Sequence, residues 1–250
     1  MIRTVFFDLD GTLYNYIRGD AAGREAVAAY AAEHLGMDRD EYMRRHVEAY
    51  QLEGRRLGPV AASHNRLLRY QLLLEQACLP IFPHALEMAR TYWEALLGTV
   101  EPEPGLIELL QGLKRAGIRI GVGTNMTALM QFQKLYRLGL TEFVDTVVTS
   151  EEVGVEKPEP GFFSLCQEKA LCLPEETVFI GDNLELDVRA SIRCGMHGVY
   201  YSRYDTGKEA FDSVPSFGCY RDILTPDGIR LGEGIPFIPY ETHTGGVKSL

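Results

Sequence analysis

The chain has 250 residues, enough for one large domain or a domain with a sizeable insertion and ample to bury a core. Hydrophobic residues at 46% and charged residues at 24% are ordinary for a globular chain and exclude disordered, collagen-like and coiled-coil classes. A net charge of −10 has the wrong sign for a protein that neutralises a phosphate backbone or an anionic membrane, so neither nucleic acid nor membrane is expected as a partner.

No apolar run approaches a membrane span, and acids occupy the place where a leader would be apolar, so a cytoplasmic protein is expected. The five cysteines, Cys78, Cys166, Cys172, Cys194 and Cys219, match neither a disulfide ladder nor a metal knuckle and read as small apolar residues.

RTVFF at residues 3–7 is a short run of strand formers that stops at Asp8, with Gly11 close behind, and predicts a buried strand ending in a tight turn. Residues 20–97 then carry four helix-favouring runs punctuated by Gly36, Gly58, Pro59, Pro80, Pro83 and Gly98, with no convincing strand. After Pro102 and Pro104 helical patterns alternate with the strand runs IRIGVG, DTVVTS, TVFIG and MHGVYYS, the signature of a parallel sheet covered on both faces.

The expected fold is therefore α/β: a doubly wound, Rossmann-like parallel sheet built from residues 1–16 and 101–203, with an α-helical cap inserted at residues 17–100. Residues 204–250 do not continue the alternation. Their Gly and Pro content suits an extended arm, an extra strand pair or a disordered tail. Ile229, Leu231, Ile235, Phe237 and Ile238 are too apolar for full solvation, which favours packing on the core or on another subunit, the latter making a homo-oligomer through this extension.

Ligands of open parallel sheets bind beyond the carboxyl ends of the strands, and four polar groups fall there: DLDGT at 8–12, Thr124-Asn125, EKPEP at 156–160, and Gly181-Asp182-Asn183 with Asp187. Taken singly they are ordinary: a turn, a helix cap, a surface lysine and a capped strand-to-helix turn. Their ordered occurrence at the strand ends of one sheet is not. Asp8, Asp10, Asp182 and Asp187 would place four carboxylates in one crevice, a set that calls for a divalent cation, and oxygen-only ligands select Mg²⁺. With the charge of Lys157, the Thr124 hydroxyl and nearby amides, such a crevice is suited to a phosphoryl group.

The set DLDGT, GTN, EKPEP and GDNLELD resembles the four motifs of the haloacid dehalogenase superfamily, in the branch whose helical cap follows the first motif, over roughly residues 2–202. The resemblance implies that Asp8 is the nucleophile forming an aspartyl-phosphate and that Asp10 protonates the leaving oxygen and then activates water. It implies a Mg²⁺ site formed by Asp8, Asp182 and the Asp10 carbonyl, with Asp187 as an outer carboxylate orienting Lys157 or a water. Phosphoryl oxygens would be held by Thr124, the Asn125 amide and Lys157.

Asp10 distinguishes the resemblance to phosphatases and mutases from that to dehalogenases, whose halide needs no acid. A phosphonatase would use a cap lysine, and residues 20–97 contain none. Hydrolysis of a small phosphorylated metabolite, such as a nucleotide, a sugar phosphate or phosphoglycolate, is the expectation because it is the commonest outcome in this branch. A phosphomutase and a low-turnover phosphate-binding scaffold are the alternatives. Tyr14, Tyr16, Arg18, Arg55, Arg56, His64 and Asn65 are the candidate specificity residues, with EGRRLGPVAASHN at 53–65 as the expected specificity loop.

Overall fold

The computed structural model of the chain describes residues 1–205, 207 and 214–240; the rest of the C-terminal extension, 206, 208–213 and 241–250, lies outside the described residues. Strands β1 (Thr4–Phe7), β2 (Arg119–Thr124), β3 (Thr146–Thr149), β4 (Thr177–Gly181) and β5 (His197–Tyr201) form where the apolar runs predict them. With β6 (Ser216–Phe217) they make one parallel sheet in the order β3-β2-β1-β4-β5-β6.

Alternation along the strands builds a core on each face. Val5, Phe7, Ile120, Val122, Val178, Ile180 and Val199 join one apolar cluster, whereas Phe6, Phe179 and Val148 join another with Phe162 and Phe163. Both faces are covered, as near-continuous apolar strands require.

Between β1 and β2 stand α1 (Tyr16–Leu35), α2 (Arg39–Leu57), α3 (Arg66–Gln76) and α4 (His84–Leu97), which surround an apolar cluster of their own, including Val27, Leu73, Met88 and Leu96. Asn15, Asp38 and Asn65 cap the first three of these helices, each side chain accepting from a backbone N–H of the first turn. The remaining helices are α5 (Leu106–Arg115), α6 (Ala128–Arg137), α7 (Ser150–Val153), α8 (Pro160–Ala170) and α9 (Ala190–Arg193), the last preceded by a π-helical segment, Leu184–Arg189.

The extension does not stand apart from the core. Phe217, Tyr220, Ile223, Ile229, Leu231 and Ile238 are buried in the same cluster as β1 and β2, and β7 (Leu224–Thr225), β8 (Gly228–Ile229) and β9 (Ile238–Pro239) form a small antiparallel sheet. The apolar cluster around β1 and β2 is thus continued by residues 214–240, because apolar side chains spaced through the Gly and Pro turns pack against that face of the sheet. The Tyr220 ring stacks on Tyr201 at 4.7 Å, and its hydroxyl donates to the Thr12 carbonyl at 3.0 Å. The extension thereby braces the turn that follows β1.

No helix among the described residues is long and apolar enough to cross a membrane. All five cysteines are free.

Candidate active site

The four motifs converge beyond the carboxyl ends of β1, β2 and β4, on either side of the central strand, where the strand order reverses. Asp8 directly follows β1; its N–H donates to the Ile180 carbonyl at 2.8 Å, fixing it beside β4. The chain then turns through Gly11 at φ +89°, and a Cβ there would lie 2.2 Å from Asp182 Oδ2. Glycine is required twice over, for the left-handed backbone and for the approach of a carboxylate. At Gly181 only the close approach applies: the Asp187 side chain would lie 2.4 Å from a Cβ.

Lys157 sits buried at the centre. Its Nζ donates to Asp8 Oδ1 at 2.5 Å, to Asp187 Oδ1 at 2.6 Å and to the Gly123 carbonyl at 3.2 Å. Burial alone would lower this ammonium, yet the charges of Asp187 and Asp8 hold it above the ordinary lysine value. Asp187 is anchored on its other oxygen by the Asn183 N–H at 3.0 Å.

Oxygens of Asp8, Asp182 and Asp187 lie within 4.8 Å of one another. Burial pushes Asp8 up to about 7, with Lys157 opposing and Asp187 adding to the rise. It pushes Asp182 up to about 8, with the charges of Asp8 and Asp187 adding to it. One ammonium does not neutralise three crowded carboxylates, and the donor set is all oxygen. These residues fit a hard divalent cation such as Mg²⁺.

Asp10 belongs to a second network. Lys134 of α6, with no exposed surface, donates to both its oxygens at 2.7 and 2.8 Å; Gln131 donates at 3.1 Å, and the Tyr14 hydroxyl donates as well. Burial would raise Asp10, but Lys134 and then the Tyr14 and Gln131 hydrogen bonds hold it below the ordinary carboxylate range. Asp10 is ionised here and accepts on both oxygens.

Neither Lys134 nor Gln131 stood among the residues expected from the sequence. In the structure α6 buries Gln131 and Lys134 beside Leu135 while leaving Leu129, Phe132 and Tyr136 exposed, an orientation that the helical pattern of the sequence does not signal.

Thr124, the last residue of β2, is buried and its hydroxyl accepts from Gln131 Nε2 at 2.6 Å. The Asn125 side chain is occupied by the main chain of Lys157, accepting from its N–H at 2.9 Å and donating to its carbonyl at 3.4 Å. It ties the second motif to the third.

A cavity of about 650 Å³ joins Asp8, Asp10, Thr124, Asn125, Lys157, Asp182 and Asp187 to the cap helices. The cap side includes Tyr16 and His64, whose Nε2 lies 2.9 Å from Glu156 of the core. Tyr14, Arg18, Arg55, Arg56 and Asn65 are not among its lining residues. Tyr14 is buried against Asp10, Arg18 pairs with Glu101, and Asn65 caps α3.

Arg55 and Arg56 are exposed because α2 continues through Leu57, and Glu53, at the start of the expected specificity loop, is instead a buried helical residue paired with Arg69 at 2.7 Å. The arginines that do face the cavity are Arg24, Arg66 and Arg69.

Residues 2–195 match the family model of the haloacid dehalogenase-like hydrolases. The chain belongs to this family. Among similar proteins of the family, a ribulose-1,5-bisphosphate 5-phosphatase of Halopiger xanaduensis is 35% identical over 242 residues, covering 90% of this chain and 100% of that one. A glyceraldehyde 3-phosphate phosphatase of Methanopyrus kandleri is 33% identical over 235 residues, covering 92% and 98%. Among solved structures, the haloacid dehalogenase family hydrolase YfnB of Bacillus subtilis, bound to magnesium, superimposes with a TM-score of 0.66 at 19% identity over 88% of this chain and 96% of that one. That likeness gives the fold, a parallel sheet with an inserted helical cap.

Proposed function

We propose that the chain is a Mg²⁺-dependent phosphomonoester hydrolase of small phosphorylated sugars, acting through an aspartyl-phosphate on Asp8. The observation that carries this reading is the placement of Asp8. Its carboxylate faces a cavity shared with Thr124, Lys157 and Asp182, and one oxygen is held by Lys157 while the side chain remains buried and otherwise crowded by carboxylates. The names of the two relatives, both phosphatases of phosphorylated sugars, narrow the substrate class.

Asp8 and Asp182, with the Asp10 carbonyl, would hold Mg²⁺, and Asp187 would steady Lys157 from behind. Bound there, the cation supplies positive charge that offsets the two crowded carboxylates and the phosphoryl oxygens. An Asp8 oxygen attacks phosphorus as the bond to the sugar oxygen breaks, and the sugar oxygen takes the proton of the Asp10 carboxyl, which the water of the second step restores. Lys157 and the Thr124 hydroxyl offset the charge on the phosphoryl oxygens in flight. Water then attacks phosphorus, loses its proton to Asp10, and the bond to Asp8 breaks to release phosphate.

The ionised, fully accepting Asp10 fits the second step as it stands. The first step requires Asp10 to carry a proton, and therefore to let go of the Lys134 ammonium. Rapid acid quenching during turnover of a ³²P-labelled sugar phosphate tests the scheme: label should appear on the peptide containing Asp8, and its absence at every quench time would remove the covalent intermediate.

A further inference from the structure

Arg66, the first residue of α3, is a cationic side chain that the chain itself leaves undersupplied. It is 4% exposed. Its guanidinium donates to two neutral hydroxyls, Tyr16 at 2.9 Å and Tyr92 at 3.0 Å, and to the His64 carbonyl at 3.1 Å. The carboxylate of Asp20 stands 3.9 Å away, already taken by Arg24 at 2.9 Å and by the Tyr92 hydroxyl at 2.5 Å. The Arg66 Nε is buried with no partner. Buried charge is costly without a counter-ion, and buried N–H groups are normally satisfied.

The surroundings hold the guanidinium still. It lies over the Tyr92 ring at 4.7 Å and the Trp93 ring at 5.4 Å. Arg24, Arg66 and Arg69 face the two carboxylates of Asp20 and Glu53, which leaves one positive charge on the cap wall. His46, on the same wall, is driven down to about 3 by burial and by Arg69 and Arg66, so it adds no charge and reports a cationic surrounding.

Arg66 lines the cavity that also contains Asp8, at the cap side rather than the core side. Tyr16 lines it too, its hydroxyl oxygen accepting from Arg66. A fixed guanidinium fork beside a hydroxyl is suited to an anionic oxygen group. A cavity of about 650 Å³ has room for a small sugar carrying one charged group at each end.

The structure assigns to Arg66, with Tyr16, the binding of a second anionic group of the substrate, the one that is not cleaved, so that the preferred substrates are sugar bisphosphates or phosphorylated sugar acids. This rests on the phosphatase reading above and adds to it which end of the substrate the cap reads. The positive charge is supplied by the chain and the negative charge by the ligand, so an uncharged distal end leaves Arg66 as undersupplied as it is now.

The test compares kcat/KM for ribulose 1,5-bisphosphate, ribulose 5-phosphate and 4-phosphoerythronate in the wild type, Arg66→Gln and Arg66→Lys. The wild type should favour the bisphosphate or the phosphorylated acid over the monophosphate by roughly 30-fold or more. Arg66→Gln should lose most of that preference, chiefly through KM, and Arg66→Lys, which keeps the charge without the fork, should retain part of it. Which of the two doubly charged compounds leads identifies the distal group as phosphate or carboxylate.

A wild type that turns over all three alike, or Arg66 variants that slow all three by one common factor, would overturn the inference while leaving the phosphatase intact. If Arg66→Gln does not fold, the Lys variant decides between these outcomes by the same ratio. No Asp8-dependent release from any of the three would count against the phosphatase reading itself.

Discussion

The Lys134 ammonium lies 2.7 and 2.8 Å from the two carboxylate oxygens of Asp10, although 124 residues separate them in the chain. Lys134 has no solvent exposure, and it stands over the rings of Tyr16, the first residue of α1, and Trp93 of α4 at 5.7 and 5.6 Å. One buried side chain therefore meets Asp10 on one side and aromatic rings of α1 and α4 on the other. Replacing it leaves Asp10 without its charge partner in a part-buried place.

Lys134→Met should accordingly destabilise the fold by about 3 kcal/mol, the cost typical of stranding one member of a buried pair. In an Asp10→Asn background the same change should cost much less, since the stranded charge is gone. Denaturant midpoints of the four proteins in the cycle measure this, and additive losses would contradict the coupling.

Asp10→Asn should slow hydrolysis of alkyl phosphates by roughly 100-fold or more while affecting nitrophenyl phosphate less, because a nitrophenolate leaves with little need of a proton. Comparing kcat on both substrates checks this. Equal losses would remove Asp10 from protonation of the leaving group and leave it only the activation of water.

The crowded carboxylates link stability to pH and to the cation. Asp8 and Asp182 have an ordinary value of 3.8, near which both ionise in the unfolded chain, but in the folded chain they ionise only at about 7 and about 8. Between those values the folded state holds more protons than the unfolded one, so stability falls as pH rises from about 4, and the loss is complete above about 8. The Tm of EDTA-treated protein should therefore drop between about pH 5 and about pH 8, and Mg²⁺ should raise it more at the higher value. A Mg²⁺ effect of the same size at both would contradict the assignment of the cation to these two residues, as would an undiminished effect in Asp182→Asn.

Tyr220 connects the C-terminal extension to the turn after β1 through the Thr12 carbonyl, and it has no exposed surface. Tyr220→Ala should cost about 3 to 5 kcal/mol as a large core truncation. Removing residues 204–250 should be worse, because it uncovers the sheet face that holds Val5 and Phe7. Thermal melts of both variants check this, and a truncated chain with unchanged Tm and kinetics would show that the extension is dispensable.

Most of the fold could be read from the sequence because its strands are short apolar runs with turn residues at their ends, as at RTVFF before Asp8 and TVFI before Gly181. The four motifs could be read because Asp, Lys and Gly at strand ends have few other reasons to occur together. Lys134 and Gln131 were hidden, since a Lys within a helical run ordinarily faces water and only the strand-end carboxylate 124 residues away explains its burial. Arg55 and Arg56 misled for the opposite reason. They lie between Gly54 and Gly58 and look like a loop, but α2 runs on through Leu57 and turns Glu53 inward to Arg69 while leaving both arginines exposed. The extension was legible in its apolar content and not in its destination, because packing against a sheet leaves no local periodicity in strands of two residues.

Phosphate release from sugar phosphates by the wild type and Asp8→Asn, each with Mg²⁺ or with EDTA, tests the proposed nucleophile most directly. The expected result is release by the wild type with Mg²⁺, and a loss of roughly 1,000-fold or more on either removing the cation or replacing Asp8, with Asp8→Asn still folded. Release that survives the Asp8→Asn substitution in a folded protein would contradict it.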